Sequence, residues 1–174
     1  MKIAVIGGGS TYTPELVSGF LQASQTLPVS ELWLMDIDQE RLDIVGGFVQ
    51  RMIQDYGNPF ELRLTSDRRE TIQHARFIIT QFRVGGMAAR RADEYLGKRH
   101  GLIGQETTGV GGMAKALRTI PVVLEIAREI SELAPEALLA NFTNPAGLIT
   151  EAIYRHAPGI NAIGMCNVSI TTKR

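Results

Sequence analysis

Ile3-Ala-Val-Ile-Gly-Gly-Gly-Ser-Thr-Tyr-Thr-Pro-Glu15 decides how this chain folds. Four apolar residues, Ile3 to Ile6, run straight into a turn made only of glycine, and Pro14 then marks a helix start. A strand, a bare turn and a helix N-terminus in that order make a seat for pyrophosphate. The backbone can approach the phosphate oxygens, and the helix end offers N–H groups carrying partial positive charge. Gly7 suits the tight turn and Gly9 the close approach. Asp36 ends the next apolar run, Leu32 to Met35, where a carboxylate can accept both ribose hydroxyls. The stretch therefore predicts a dinucleotide site. NAD is favoured over NADP, because Asp36 would repel a 2′-phosphate, although Arg41 stands near enough to attract one.

Two features depart from the usual fingerprint. Tyr12 takes the third glycine position, and Asp36 comes later than about 20 residues after the glycines, a delay that residues 25–30 explain as a longer connection. A glycine-rich turn in some other parallel α/β domain is the plainer reading. The strand before, the helix after and the acid at the next strand's end favour the cofactor.

The 174 residues suffice for one domain with a proper core. Lysine and arginine (18) balance aspartate and glutamate (18), and no basic run occurs, so nucleic acid and anionic membranes are poor partners. No apolar stretch approaches the ~18 residues of a membrane span. The N-terminus lacks the charged, apolar and cleavable succession of a signal peptide. The single cysteine, Cys166, excludes an internal disulfide and suits a reducing cytoplasm.

Strand candidates at 2–6, 31–35, 61–65, 77–81, 137–142 and 161–165 alternate with helical patterns. Leu42, Val45, Val49 and Met52 share one face of a second helix. Leu117, Ile120, Leu124, Ala127 and Ile130 share one face of a long helix near 113–134. Such alternation implies an α/β fold, a Rossmann-type doubly wound parallel sheet like the NAD-binding domain of lactate and malate dehydrogenases. Residues 83–112 interrupt the rhythm and read as a long functional loop on the ligand side of the sheet.

Three further motifs point to the same rim. Gly-Gln-Glu-Thr-Thr-Gly-Val-Gly-Gly, residues 104–112, sets Glu106 among small polar groups, although a solvated loop explains the spacing equally well. In Asn-Phe-Thr-Asn-Pro, residues 141–145, Pro145 suits a helix's first turn and Asn144 its N-cap. Gly-Met-Cys-Asn, residues 164–167, brings Cys166 to a strand's carboxyl end. A lone cysteine there is ordinarily a small hydrophobe.

Taken together, Gly7 to Ser10, Tyr12 to Glu15, Phe82 to Gly85, Gly104 to Thr107, Asn141 to Pro145 and Cys166-Asn167-Val168 resemble the family 4 glycoside hydrolases. The resemblance runs in order through the whole chain. Cys-Asn-Val is similar to the 6-phospho-β-glucosidase branch, whereas α-specific members generally carry Asp or His after that cysteine. The family departs from the usual two-carboxylate glycosidase chemistry. The resemblance implies that bound NAD⁺ takes a hydride from sugar C3 and that the C2 proton then leaves to a tyrosine base. A divalent metal, usually Mn²⁺, would stabilise the enediolate, the aglycone would be eliminated, and water and the hydride would then be added back.

Carried over residue by residue, the resemblance implies that Gly7, Gly8, Gly9, Ser10 and Asp36 hold NAD. Arg90 would contact the phosphorylated β-glucoside, pairing with its phosphate. Asn144 and Asn167 would contact the substrate, and Cys166 would ligate the metal as thiolate. Glu106 would keep the base tyrosine more basic. Arg83 is a weaker candidate, a loop anchor. The family's histidine ligand and tyrosine base lie tens of residues beyond Cys-Asn. His74, His100 and His156 read as helical and away from the rim, and none of Tyr12, Tyr56, Tyr95 or Tyr154 matches the base. The chain is thus expected to be the cofactor half of a longer, cytoplasmic, homo-oligomeric enzyme and to be inactive alone. A hydroxy-acid dehydrogenase and a non-catalytic NAD-binding module share the glycine turn, but neither needs Glu106, Asn144 and Cys166-Asn167 together.

Overall fold

In the computed structural model, which describes residues 1–166, strand and helix alternate as the apolar runs require. β1 (Lys2–Ile6) leads to α1 (Thr13–Gln22), β2 (Glu31–Met35), α2 (Gln39–Asp55), β3 (Glu61–Thr65) and α3 (Arg68–Ile72). β4 (Phe77–Thr80), α4 (Gly86–Arg99), α5 (Gly109–Leu133), β5 (Leu138–Asn141), α6 (Ala146–His156) and β6 (Asn161–Gly164) follow. The six strands are parallel in the order β3-β2-β1-β4-β5-β6. This is the Rossmann order, and it reverses direction between β1 and β4, where such sheets open a crevice at their carboxyl ends.

The sheet is covered on both faces, which is why its central strands carry unbroken apolar runs. Successive side chains of a strand point to opposite faces. Ile3 and Val5 of β1 therefore pack with Leu32, Leu34, Val17, Leu42 and Ile53 beneath α1 and α2. Ala4 and Ile6 pack on the other face with Ile78, Leu139, Val123, Ile126, Ile130 and Ile149 beneath α3, α5 and α6. Each fully buried aliphatic side chain of this kind contributes about 1.5–3 kcal/mol. Strand β3, at one edge, is guarded by an exposed Arg63–Glu61 pair at 2.6 Å.

Helix starts are set by carboxylates. Asp38 accepts from the Arg41 N–H at 3.1 Å to open α2, and Asp67 accepts from the Glu70 N–H at 3.0 Å to open α3. The short α3 is clamped to α5 by Arg68, whose Nε and Nη2 both donate to Glu129 at 2.7 Å. Among the described residues no helix is long and apolar enough to cross a membrane.

The observed strands begin and end within one residue of the sequence expectation. Four other expectations are corrected. Residues 83–112 are not one loop, because 14 of them form α4. The buried face of α5 runs through Gly112, Lys115, Ala116, Thr119, Val123, Ile126 and Ile130, whereas Leu117 is 68% exposed. Asn144 is not the cap of α6: Pro145 holds that position after a cis Asn144–Pro145 peptide, with no side-chain capping bond. His74 lies not in a helix but just past α3, in a left-handed conformation (φ 59°).

Candidate functional site

The glycine turn after β1 sits at the switch point and is held from three sides. The N–H groups of Gly7 and Gly8 both donate to the Met35 carbonyl, at 2.9 and 2.7 Å, which ties the turn to the end of β2. Gly7 adopts φ +98°, and a Cβ there would lie 2.8 Å from the Gln81 carbonyl oxygen, so only glycine fits without displacement. Buried Thr13 donates from its hydroxyl to the Gly8 carbonyl at 2.8 Å. Gln81, just past β4, donates from Nε2 to Thr13 Oγ1 at 2.7 Å and to the Gly7 carbonyl at 3.3 Å.

Tyr12 can replace the third glycine because its side chain turns outward. It stands edge-on against Phe142, with ring centroids 5.9 Å apart, across the crevice from β5. Thr13 makes the inward contact instead. Ser10 lies inside the turn: its N–H donates to Gly7, and its hydroxyl accepts from the Tyr12 N–H at 3.2 Å.

Asp36 is fixed at the end of β2. Its Oδ2 accepts from the Gly9 N–H at 2.9 Å and its Oδ1 from the Asp38 N–H at 3.1 Å. Each carboxylate oxygen keeps acceptor capacity for a hydroxyl. The next residue, Ile37, is 90% exposed, an apolar surface beside a ribose-type acceptor. A bare turn at the switch point, a helix N-terminus and a backbone-anchored acid fit a dinucleotide.

On the far side of the crevice, the ends of β4 and β5 are joined by buried polar bonds. Thr80 Oγ1 donates to Asn141 Oδ1 at 3.0 Å, and the Phe82 N–H donates to Thr143 Oγ1 at 3.3 Å. Asn141 also donates to Thr150 Oγ1 at 3.2 Å. Asn144 follows on the same rim, half-buried. Cys166 is exposed immediately after β6, whose ladder Met165 extends by donating to the Asn141 carbonyl at 2.8 Å. Among the described residues no three histidine, cysteine or acidic side chains stand together as a metal site, so Cys166 alone does not make one. Asn167 lies outside the described residues. His74 sits beside Lys2 and Trp33 at the opposite end of the sheet.

Glu106 is the centre of the strongest charge cluster. Arg83 Nη1 donates to its Oε1 at 2.5 Å, Arg90 Nη1 to its Oε2 at 2.8 Å, and Lys115 to Oε1. Arg90 also donates from Nε to Glu94 at 2.9 Å. Glu106 is 14% exposed and Lys115 only 2%, so this carboxylate and this ammonium have little water. Burial alone would raise the Glu106 carboxyl. The hydrogen bonds from Lys115 and Arg83 outweigh it and hold the group below its ordinary range. Burial pulls Lys115 below its ordinary value and Arg83 repels it further, with Glu106 offsetting only part. In Arg90 the Glu94 hydrogen bond leads and raises the guanidinium. The cluster thus keeps a carboxylate ionised and stationary at the rim.

The structure brings Gly7, Gly8, Gly9, Ser10 and Asp36 together at one end of the rim, and Glu106, Arg83 and Arg90 into one cluster. Arg90 is neither a loop arginine nor an ordinary exposed one. It lies on α4, bound to two carboxylates. Lys115, Gln81 and Thr13 were missed as supports of the site. Lys115 carried a signal: it is the one cation on the apolar stripe of α5. Gln81 carried none, since a glutamine after a strand is unremarkable in sequence.

Residues 2–174 match the family 4 glycosyl hydrolase model. A protein of Bacillus subtilis (strain 168) named "Probable 6-phospho-beta-glucosidase" is 53% identical over 175 residues, covering 99% of this chain and 40% of that protein. The 6-phospho-β-glucosidase of Escherichia coli (strain K12) is 50% identical, covering 99% of this chain and 39% of that one. Among solved structures, the 6-phospho-β-glucosidase from Thermotoga maritima with manganese, NAD⁺ and glucose-6-phosphate superposes with TM-score 0.94 at 43% identity. That match covers 99% of this chain and 41% of the other. The chain thus spans about 40% of the length of the relatives it matches.

Proposed function

The chain belongs to family 4 of the glycosyl hydrolases, and on that premise we propose that it is the cofactor-holding part of a 6-phospho-β-glucosidase using NAD and a divalent metal, Mn²⁺. The observation that carries the reading is the anchored pair of glycine turn and Asp36 at the switch point of the sheet. When bound, NAD supplies an acceptor for a sugar hydride that is returned in the same turnover, so the reaction has no net redox change.

In this reading Gly7, Gly8, Gly9 and Ser10 cradle the pyrophosphate, and Asp36 accepts the adenosine ribose hydroxyls. Arg90 and Asn144 orient the phosphorylated sugar, with Asn167 as a further contact. Arg90 can serve because its guanidinium is only part covered and its five donors exceed the two bonds it makes here. Glu106, held ionised by Arg83 and Lys115, is the acid proposed to keep a tyrosine base outside this chain more basic, although its own charge is here balanced by Arg83, Arg90 and Lys115. Cys166 would offer one thiolate to the metal. The metal's remaining ligands would come from outside the described residues, which assemble no metal site of their own. The whole protein is proposed to be a cytoplasmic homo-oligomer.

The test is release of nitrophenol from an aryl 6-phospho-β-glucoside by the full-length protein, with and without NAD⁺ and Mn²⁺, while absorbance of NADH is followed. Release that needs both additives, without NADH accumulating, is the expected result. Stoichiometric NADH without nitrophenol would make the protein a plain dehydrogenase.

A further inference from the structure

The cations around Glu106 arrive from separate pieces of chain. Arg83 stands in the turn after β4, Arg90 on α4 and Lys115 on α5. No apolar side chain of α4 is buried to fix it against the rest, since its buried residues are Asp93 and Gly97. The helix also starts from two successive left-handed glycines, Gly85 (φ 78°) and Gly86 (φ 60°), and a Cβ added at Gly86 would meet open space. Such a start leaves the direction of a helix loosely set. One guanidinium ties the pieces together. Arg118 of α5 donates from Nε to the Val84 carbonyl at 3.0 Å and from Nη1 to Asp93 Oδ1 at 2.9 Å. It also donates from Nη1 to the Ala114 carbonyl at 3.2 Å and from Nη2 to Asp93 Oδ2. Each anchor point stands close in sequence to a cation on Glu106. Val84 is next to Arg83, Asp93 is one helical turn from Arg90, and Arg118 is itself one turn from Lys115. Residues one turn apart share a helix face.

We propose that Arg118 is the positioning residue of this cluster, fixing where Arg83 and Arg90 stand without touching substrate or cofactor. A two-pronged bond between a planar guanidinium and a planar carboxylate fixes orientation as well as distance. The Asp93 bond therefore sets the roll of α4, and with it the direction in which Arg90 points. The Val84 bond sets the turn that carries Arg83. A lysine at 118 would keep the charge and lose the fork, so the role depends on shape rather than on charge. The glycine turn is held separately, through the Met35 carbonyl, Thr13 and Gln81, and among the described residues Arg118 forms no bond to any of these. Loss of Arg118 thus loosens the sugar side of the rim and leaves the cofactor side in place. This inference rests on the reading of Arg90 as a contact to the phosphorylated sugar.

The experiment compares full-length wild type, R118K, R118M/D93N, R90M and R68M. Each is measured in steady-state turnover of an aryl 6-phospho-β-glucoside, in calorimetric titration with NAD⁺ and in thermal melting. R118M/D93N leaves no buried charge unpaired, and should it fail to fold, R118K decides. R68M breaks another guanidinium clamp, from α3 to Glu129 of α5, and reports what destabilisation alone does. R118K and R118M/D93N are expected to raise KM about tenfold with kcat within about threefold of wild type, since a misplacement of about 1 Å suffices for such a loss. NAD⁺ affinity should stay within about twofold of wild type, and R68M should melt lower with KM unchanged. R90M should raise KM at least as much as R118K. Folded R118K and R118M/D93N with the wild-type KM, beside an R90M that raises it, overturn the positioning role alone. So does an equal rise of KM in R68M, or a loss of NAD⁺ affinity that matches the rise of KM. R90M with the wild-type KM overturns the sugar-contact reading itself, and the positioning role with it.

Discussion

Replacing Glu106 with glutamine tests whether the charge cluster is one cooperative unit. The substitution removes a charge and keeps the shape. It leaves the Lys115 ammonium, 2% exposed, facing Arg83 and Arg90 with no anion between them. Breaking a buried pair by removing one partner costs about 3–5 kcal/mol. Arg83 and Arg90 are 27% and 36% exposed and can turn toward water, so they add little. The amide oxygen still accepts one bond, which places the expected loss near the lower bound, about 3 kcal/mol. For a domain of this size that lowers Tm by roughly 6–12 °C. Thermal and urea unfolding of the 174-residue chain are the assays. E106Q/K115M, which removes both charges and fills the space with an apolar side chain, should recover most of the loss.

The cluster also has a pH signature with two opposite limbs. The Glu106 carboxyl is lowered in the fold, so its contribution is fully present above the unfolded value near 4.5 and is lost as pH falls through the folded value. The gap between wild type and E106Q should therefore close in acid. Lys115 is also lowered, so the folded chain binds fewer protons than the unfolded chain between the depressed value and 10.5, and stability rises with pH there. K115M should lack that rise. An E106Q chain within 1 kcal/mol of wild type at neutral pH would refute the reasoning, because Lys115 would then not depend on Glu106.

Two further outcomes follow from the geometry. G7A forces a Cβ into a φ of +98° against the Gln81 carbonyl, which costs about 1–2 kcal/mol for the conformation alone; Tm should fall and NAD⁺ affinity drop at least about tenfold, read by melting and calorimetry. R68A strands Glu129, 8% exposed, and should cost about 3 kcal/mol in urea unfolding, whereas R69A, whose pair with Glu132 is half in water, should cost under about 1 kcal/mol.

Most of the sheet was legible because parallel strands buried on both faces leave short apolar runs bounded by turn residues. Val5 and Leu34 have no solvent side to blur the pattern. α4 was hidden for the opposite reason. It buries only Asp93 and Gly97, so charge pairs hold it in place of an apolar stripe: Arg90 to Glu106, and Arg118 of α5 to Asp93. Periodicity cannot report a helix attached in that way. Leu117 misled the reading of α5 because Lys115, a cation, occupies the stripe that an apolar residue would mark. At the site, the glycines and Asp36 announced themselves by type and order. Gln81 and Thr13 could not, since their roles exist only once β1 and β4 lie side by side.

The placement of β1 has a consequence for how the chain is made. β1 is made before every strand that flanks it, yet it stands at the centre of the finished sheet. Ile3 pairs with Leu32 on one side and with Phe77 on the other. The buried members of one core cluster all fall between Ile3 and Phe60, so that layer can close while synthesis continues. The other layer needs Ala4 and Ile6 to meet residues as late as Ile160. A half-made chain therefore carries an open strand edge and an uncovered apolar face along β1. A pause in translation after β3 would lengthen the time this surface is offered to chaperones, or to the same edge on a neighbouring nascent chain.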